Sequence, residues 1–199
     1  MIILMNASIN MGTKNQMNKN IVCIDTEKAP PKMTNEQTFF IDGYWLDKLP
    51  DHIDIDVFDT FDFKDCTQPE ETWLDQNAMK DLRKLHKWFA DNYIAKMFDE
   101  FEMKDCAMWS GVDEGSREWH NDFEDGDAFN SNILVYMDDN TKQNGNNIQV
   151  TSGDYINILF PKRREFVWLN QKKCFEHRAT HKSGVRRVLS FEYMIPALL

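Results

Sequence analysis

The second half of the chain is a series of short apolar runs separated by turn-forming residues. From Cys106 onward, runs such as Asn132-Ile-Leu-Val-Tyr136 and Glu165-Phe-Val-Trp-Leu169 have the length and composition of strands. Segments rich in Asn, Asp and Gly separate these runs. The pattern predicts a mostly β chain, and an antiparallel double-sheet jelly roll is the architecture that fits it.

One long helix is expected ahead of this sheet-rich half. Thr67-Gln-Pro-Glu70 has the form of a helix start, since Thr67 can cap, Glu70 can complete a capping box and Pro69 is tolerated in the first turn. We predict a helix over residues 67–101, with room for one interruption, packed on the outside of one sheet. Its apolar face recurs at three- and four-residue steps: Leu74, Ala78, Leu82, Leu85, Phe89, Tyr93 and Met97.

The N-terminal third carries weaker signals. Residues 1–36 are rich in Asn, Lys, Met and Thr, which predicts a loosely ordered arm with one strand near residues 21–24. A single domain is expected over residues 37–199. Within it we predict helical support at residues 67–101 and a jelly-roll core at residues 105–195.

Between the arm and the helix, four short segments can be interpreted. Phe39-Phe40-Ile41 is predicted to be a short strand and Gly43 a turn. Tyr44-Trp45-Leu46 is predicted to begin a short helix. Residues 53–57 alternate apolar and acidic side chains, which favours a half-exposed strand.

Composition and charge limit the classes of partner. The chain of 199 residues has 42% hydrophobic and 13% aromatic residues, which suits one packed domain. Its net charge of −10 repels nucleic-acid phosphates and anionic membrane surfaces. Nucleic acid is therefore disfavoured as a partner and no membrane partner is expected, while the charge does not indicate an oligomeric state.

The cysteines indicate a reducing compartment. Cys23, Cys66, Cys106 and Cys174 form no C-x-x-C pair and no tight framework. The opening Met-Ile-Ile-Leu-Met is too short for a signal peptide and lacks a basic flank. We predict free thiols, without a disulfide among them, in a cytoplasmic protein.

A candidate metal site is the main functional signal. If residues 119–123 are extended, the two-residue period of a strand places His120 and Asp122 on one face. His177 follows Asp122 by 55 residues (177 − 122) and can complete the set from a neighbouring strand. Two His and one Asp with open coordination positions form the facial triad that is typical of non-haem Fe(II) sites.

Two alternatives to this assignment stay open. His181 competes with His177 as the third ligand, although Thr180-His-Lys-Ser-Gly184 is typical of a turn. Two His and one carboxylate also occur in catalytic zinc sites, often from a helical H-E-x-x-H. That helical motif is absent from the sequence.

A longer series of residues extends the signal beyond the metal ligands. The series is His120, Asp122, Asn132, Tyr136, Pro161, Trp168, His177 and Arg186. Its order resembles that of the 2-oxoglutarate- and Fe(II)-dependent dioxygenases, in particular their prolyl-hydroxylase-like branch. The resemblance covers roughly residues 105–195. Two departures are Asn144-Gly145-Asn146-Asn147, where the family often has Gly-Gly, and Val188, where many members carry Ser.

The resemblance implies a double-stranded β-helix, the cupin-like jelly roll, and a set of cofactors. Fe(II) would be held by His120, Asp122 and His177, with 2-oxoglutarate and O2 as cosubstrates. It also implies an enzyme that hydroxylates a C–H bond of a peptidyl, amino-acid or small-molecule substrate while 2-oxoglutarate is decarboxylated to succinate. The alternative is a non-catalytic metal-binding or structural module on the same fold.

The resemblance also implies a residue for the distal carboxylate of 2-oxoglutarate. It assigns this role to Arg186, with Arg187 as the local competitor, because only one of two adjacent strand residues can point inward. Asn132 and Tyr136 share a strand face and can donate hydrogen bonds to the cosubstrate, or be satisfied by neighbouring strand residues.

The inward direction of Arg186 has a consequence for its strand. If Arg186 points inward, Val188 and Ser190 face the cavity with it. Leu189 and Phe191 then face outward, where the helix face of Leu82, Leu85 and Phe89 can cover them. If Arg187 points inward instead, the assignment of the two faces is reversed.

Overall fold

A computed structural model describes residues 4–5, 20–23, 34–61, 64–65, 76–111, 115–116, 118–123, 129–172, 175–183 and 186–199. Within these residues the strands form two six-stranded sheets, and most neighbouring strands are antiparallel. The predicted boundary between an N-terminal arm and a single domain falls largely on residues outside these ranges and stays a prediction.

The first sheet contains the strand that begins at the candidate metal ligand His177. Its strands are Leu4–Met5 (β1), Asn20–Cys23 (β2), Gly115–Ser116 (β6), Asn147–Ser152 (β8), Tyr155–Leu159 (β9) and His177–His181 (β11). Their order in the sheet is β1-β2-β9-β8-β11-β6. The strand predicted near residues 21–24 is confirmed as β2.

The second sheet contains the arginine pair. Its strands are Tyr44–Lys48 (β3), Lys64–Asp65 (β4), Glu102–Gly111 (β5), Ser131–Tyr136 (β7), Glu165–Asn170 (β10) and Arg186–Met194 (β12). Their order is β3-β10-β7-β12-β5-β4.

The two sheets face each other across a shared apolar core. Buried side chains from both sheets form one cluster there: Tyr44, Tyr136, Ile148, Val150, Leu159, Val167, Leu169 and Val188. Sheets pack in this way when each strand presents alternate residues to the same interior. The predicted double-sheet jelly roll is therefore confirmed.

A second core lies on the outer face of the second sheet. Helix Gln76–Phe89 (α2) lies against this face, and its Leu82, Leu85 and Phe89 share a buried cluster with Leu189 and Phe191 of β12. This is the arrangement predicted for an inward Arg186, because residues 186, 188 and 190 then occupy the opposite face of the strand.

The long helix is interrupted as the sequence allowed. A π-helical turn, Ala90–Ile94, follows α2, and the short helix Ala95–Met97 (α3) ends the element. Phe98 then turns to extended backbone, with φ −135° and ψ 130°. The predicted helix start at residues 67–70 lies outside the described residues. None of the described helices combines the length and apolar character needed to cross a membrane.

Two predictions for residues 39–46 are wrong. Residues 39–41 belong to helix Asn35–Ile41 (α1), not to a strand, because Thr34 and Gln37 form a capping box at its start. Residues 44–46 belong to β3, not to a helix, because the chain pairs there with β10. A run of three apolar residues cannot distinguish the two states by periodicity.

The predicted strand at residues 53–57 is also wrong. The chain instead forms a 3-10 helix, Asp56–Thr60. The Asp54 carboxylate accepts a hydrogen bond from the Asp56 backbone N–H at 2.9 Å, so the acidic residue stabilises a turn rather than a strand face.

Gly43 makes the predicted turn between α1 and β3. Its φ of +81° lies in the left-handed region that favours glycine. A Cβ atom at this position would come within 2.6 Å of the Phe175 ring. The turn is therefore packed directly against the segment that leads into His177.

Candidate metal centre and cosubstrate pocket

The fold brings His120 and His177 together through the backbone. The His120 N–H donates to the His177 carbonyl at 3.1 Å, and the His177 N–H donates to the His120 carbonyl at 2.8 Å. The two imidazole rings lie 4.3 Å apart, centre to centre. The expected strand at residues 119–123 is wrong beyond this bridge, because Asp122 and Phe123 form a turn.

Asp122 completes the group from that turn. Its Oδ1 lies 3.3 Å from His120 Nε2, and its Oδ2 lies 3.6 Å from His177 Nε2. One ligand atom from each of the three residues lies within 4.8 Å of the others, which is close enough for one metal ion. The three side chains are 25%, 17% and 11% exposed for His120, Asp122 and His177, so a cation can reach them from solvent.

The orientation of the His120 ring suits metal binding. Its Nδ1 lies 2.9 Å from the Glu118 carbonyl oxygen, so the Nδ1–H tautomer donates a hydrogen bond there. The lone pair of Nε2 then points toward Asp122. Second hydrogen bonds of this kind fix the tautomer and direction of histidine ligands in metal sites.

The sequence does not indicate Gln171, which holds the Asp122 carboxylate. Gln171 Nε2 donates to Asp122 Oδ2 at 2.5 Å, and Gln171 Oε1 accepts from the Asp122 backbone N–H at 2.9 Å. The two residues are 49 positions apart in the chain, so no local spacing signals the contact.

Asn121 is a second residue that sequence reasoning missed, although it stands between His120 and Asp122. Its buried Nδ2 lies within hydrogen-bond distance of the carbonyl oxygens of Gln171, Lys172 and Phe175, at 3.0, 3.3 and 2.7 Å. The asparagine thereby holds the segment between β10 and β11 against the ligand turn.

His181 is not part of the group. The prediction that it lies in a turn is wrong, since β11 continues to His181. Four residues of strand separate it from His177, which is about 13 Å. The arrangement therefore favours His177 as the third ligand.

The two arginines lie in different surroundings. The Arg186 guanidinium carbon lies 5.6 Å from the centre of the Tyr136 ring. Tyr136 belongs to the apolar core between the two sheets. Arg187 faces the other way: its Nη2 donates to Asp138 Oδ1 at 2.7 Å, and its Nη1 lies 3.0 Å from Asp59 Oδ1. Arg187 is thus already occupied by two carboxylates.

Arg186 and Tyr136 carry polar atoms suited to an anionic ligand. The Tyr136 hydroxyl interacts with the Arg186 guanidinium, and the buried Arg186 Nε has no hydrogen-bond partner among the described residues. Burial raises the pKa of Tyr136, so its hydroxyl stays protonated and can donate. A guanidinium with an unpartnered Nε, beside a phenol hydroxyl that can donate, fits the carboxylate of a bound molecule.

Asn132 lies on the same strand face as Tyr136 but at the other end of β7. Four residues of strand separate the two side chains, about 13 Å. The Ser190 hydroxyl donates to Asn132 Oδ1 at 3.0 Å, so a neighbouring strand satisfies this oxygen. A contact between Asn132 and a cosubstrate stays a prediction.

Comparison with known proteins reveals structural similarity only. No protein-family model and no curated protein sequence matches the chain. A prolyl hydroxylase from Trichoplax adhaerens, in complex with a fragment of hypoxia inducible factor, shares 11% identity at a TM-score of 0.63, over 82% of this chain and 89% of that one.

Two further solved structures have the same architecture. HygX from Streptomyces hygroscopicus, with nickel, 2-oxoglutarate and hygromycin B bound, shares 13% identity over 81% of this chain and 86% of that one, at a TM-score of 0.61. A 2OG-Fe(II) oxygenase family oxidoreductase from Burkholderia pseudomallei shares 14% identity over 79% of this chain and 88% of that one, at a TM-score of 0.58. The chain therefore has the double-stranded β-helix fold of the 2-oxoglutarate- and Fe(II)-dependent oxygenases, including prolyl hydroxylases.

Proposed function

We propose that the protein is an Fe(II)- and 2-oxoglutarate-dependent oxygenase that hydroxylates a C–H bond of a peptidyl, amino-acid or small-molecule substrate. The observation that carries the proposal is the group of His120, Asp122 and His177, whose ligand atoms lie within 4.8 Å of one another. The fold, which similar solved oxygenases share, supports the proposal.

The donor set supports ferrous iron. Two imidazoles and one carboxylate without a thiolate leave coordination positions open, as in the non-haem Fe(II) oxygenases. When bound, the iron and 2-oxoglutarate would supply the oxidising chemistry, with O2 as cosubstrate and succinate as a product. The role of the chain is to hold the metal through these three side chains and to orient the cosubstrate beside it.

Arg186 and Tyr136 are the residues that would orient 2-oxoglutarate. The guanidinium would supply a charge-assisted hydrogen bond to the distal carboxylate, and the protonated Tyr136 hydroxyl would supply a neutral one. Apolar residues from both sheets surround Tyr136, including Ile148 and Val188. Exclusion of water from this interior strengthens the pairing of the carboxylate with the guanidinium.

The substrate is proposed only as a class. One similar structure is a complex with a peptide fragment, and another contains hygromycin B. The net charge of −10 favours a neutral or basic substrate over an anionic one. We infer a cytoplasmic enzyme from the cysteine pattern.

Anaerobic metal and cosubstrate binding tests the proposal. The purified protein should bind one Fe(II) and then 2-oxoglutarate, and it should release succinate when O2 is admitted. His120→Ala should lose iron binding and succinate release while keeping its fold, because His120 is one of three proposed protein ligands.

Three results would count against the proposal. Iron binding without any 2-oxoglutarate dependence would indicate a non-catalytic metal-binding module. A strong preference for zinc, with hydrolysis of a substrate, would indicate a zinc enzyme. Normal iron content and turnover in His120→Ala would exclude the assigned ligands.

If the binding and turnover tests support the proposal, a screen with 18O2, which follows labelled product by mass, would identify the substrate.

A further inference from the structure

We propose that Gln171 is a positioning residue that makes Asp122 bind the metal through one oxygen, Oδ1. The inference rests on the proposed metal centre but concerns a residue that the ligand motif does not contain. Its basis is a pair of hydrogen bonds between Gln171 and Asp122. One bond involves the Asp122 backbone N–H, and the other involves the carboxylate oxygen Oδ2.

The pair of bonds fixes the amide of Gln171 in one orientation. Oε1 must face the Asp122 backbone N–H, which only donates, at 2.9 Å. Nε2 then faces the carboxylate and donates to Oδ2 at 2.5 Å. A flipped amide would place two donors against each other at one contact and two acceptors at the other.

Both oxygens of Asp122 face the gap between the imidazoles. Oδ1 lies 3.3 Å from His120 Nε2, and Oδ2 lies 3.6 Å from His177 Nε2. Proximity to the histidines therefore does not decide which oxygen binds a metal. The hydrogen bond from Gln171 distinguishes the two oxygens, because it takes one lone pair of Oδ2 and makes that oxygen the weaker donor, which leaves Oδ1 as the stronger ligand.

Binding through one oxygen determines how many coordination positions stay open. A carboxylate that binds through both oxygens would, with two imidazoles, fill four of about six positions. A carboxylate that binds through one oxygen would leave one more position open. With Oδ2 held by Gln171, that position stays available.

The glutamine is itself held in place. Gln171 is 1% exposed, and its backbone N–H donates to the Asn130 carbonyl at 3.0 Å. The Gln171 carbonyl accepts a hydrogen bond from Asn121 Nδ2 at 3.0 Å. Asn121, which lies between His120 and Asp122 in the sequence, therefore helps to hold Gln171 in place. A donor fixed in this way can orient the carboxylate before a metal arrives.

The test replaces Gln171 by Leu, which is similar in size and cannot donate. Wild type and Q171L are loaded with Mn(II), whose coordinated water is counted by water-proton relaxation. We expect Q171L to bind Mn(II) about 10- to 100-fold more weakly, in the range found for residues that support metal ligands. We also expect fewer coordinated waters in Q171L, because the released carboxylate can bind through both oxygens.

Gln149→Leu is the matched control. Gln149 is also a buried glutamine, but it bonds to Asn147 and Arg178 and does not touch the metal group. It should keep the wild-type Mn(II) affinity and water count. Gln171→Met, which keeps an unbranched side chain of the same length, replaces Q171L if the latter is not folded by circular dichroism.

The outcomes separate this inference from the proposed function. If wild type binds no Mn(II) or Fe(II), the metal centre itself is wrong. If wild type binds Mn(II) and the Gln171 variants match it in affinity and water count, the positioning role is overturned while the metal centre stands. A loss of thermal stability with an unchanged water count would show a purely structural glutamine.

Discussion

At the scale of single residues, the two adjacent arginines differ in what surrounds them. Arg186 lies beside the inward Tyr136, while Arg187 is bound to Asp138 and Asp59. Arg186→Ala should weaken 2-oxoglutarate binding by about 2–5 kcal/mol, or roughly 30- to 4,000-fold, because the distal carboxylate would lose its proposed charged partner. The measurement is the dissociation constant of 2-oxoglutarate for the anaerobic Fe(II) protein.

Arg187→Ala is the control for this prediction. Its effect on 2-oxoglutarate affinity should be about 1 kcal/mol or less, since its partners are carboxylates on the other face of the strand. Iron binding should survive both changes. A larger loss of affinity in Arg187→Ala than in Arg186→Ala would contradict the proposed pose of the cosubstrate.

The sequence indicated the three candidate metal ligands but not the residues that support them. His120, Asp122 and His177 stand in a spacing that the resemblance to a family made interpretable. Gln171 and Asn121 act through contacts with segments about 50 positions away in sequence. Such contacts depend on the meeting of two loops in space, which periodicity and motif spacing do not report.

At the scale of elements, α2 carries a buried histidine that couples the helix to β12. His86 is 2% exposed, its Nε2 lies 3.1 Å from the Glu192 carbonyl oxygen, and the Tyr193 hydroxyl donates to its backbone carbonyl at 2.9 Å. Desolvation by burial lowers the pKa of His86, while the Glu192 carbonyl and Asp105 oppose that shift.

This lowered pKa predicts a pH dependence of folding stability. The unfolded chain binds a proton at His86 below about pH 6.5, whereas in the folded chain the lowered pKa keeps His86 neutral to lower pH. The free energy of unfolding therefore decreases as the pH falls through that region. Urea unfolding at about pH 7.5 and pH 5.5 should show a smaller decrease in the free energy of unfolding for His86→Gln than for wild type. Equal losses in the two proteins would contradict this prediction.

The elements that the sequence failed to predict are short and lie between residues 35 and 60. The pairing with β10 decides the state of residues 44–46, and the capping box at Thr34 and Gln37 decides the state of residues 39–41. The pairing with β10 is a long-range contact that the local sequence does not contain. The capping box was present in the sequence, and it outweighs the strand preference of the aromatic residues.

At the scale of the whole molecule, β10 separates the two cores. Phe166 and Trp168 belong to the outer core with α2, while Val167 and Leu169 belong to the core between the sheets. Both faces of this strand are therefore buried, which explains its unbroken apolar sequence. The double-sheet architecture was predictable because strands of this kind recur through the second half of the chain.

Trp168 should be essential to the outer core. It is fully buried, and its indole N–H donates to the Ser131 hydroxyl at 2.6 Å. Trp168→Phe should lower the free energy of unfolding by about 2–3 kcal/mol, because it leaves a cavity and a buried hydroxyl without its partner. Urea unfolding measures the change. Trp45→Phe, at a half-buried position, should cost less, and a reversed order would contradict this account of the core.

The backbone bridge between His120 and His177 has a consequence for the kinetics and thermodynamics of metal uptake. The bridge consists of two amide hydrogen bonds, so the backbone itself holds the two histidines side by side. Metal uptake should therefore behave as simple ligand binding, with a melting temperature that rises with metal concentration. The amide protons of the two histidines should exchange slowly with deuterated solvent even in metal-free protein.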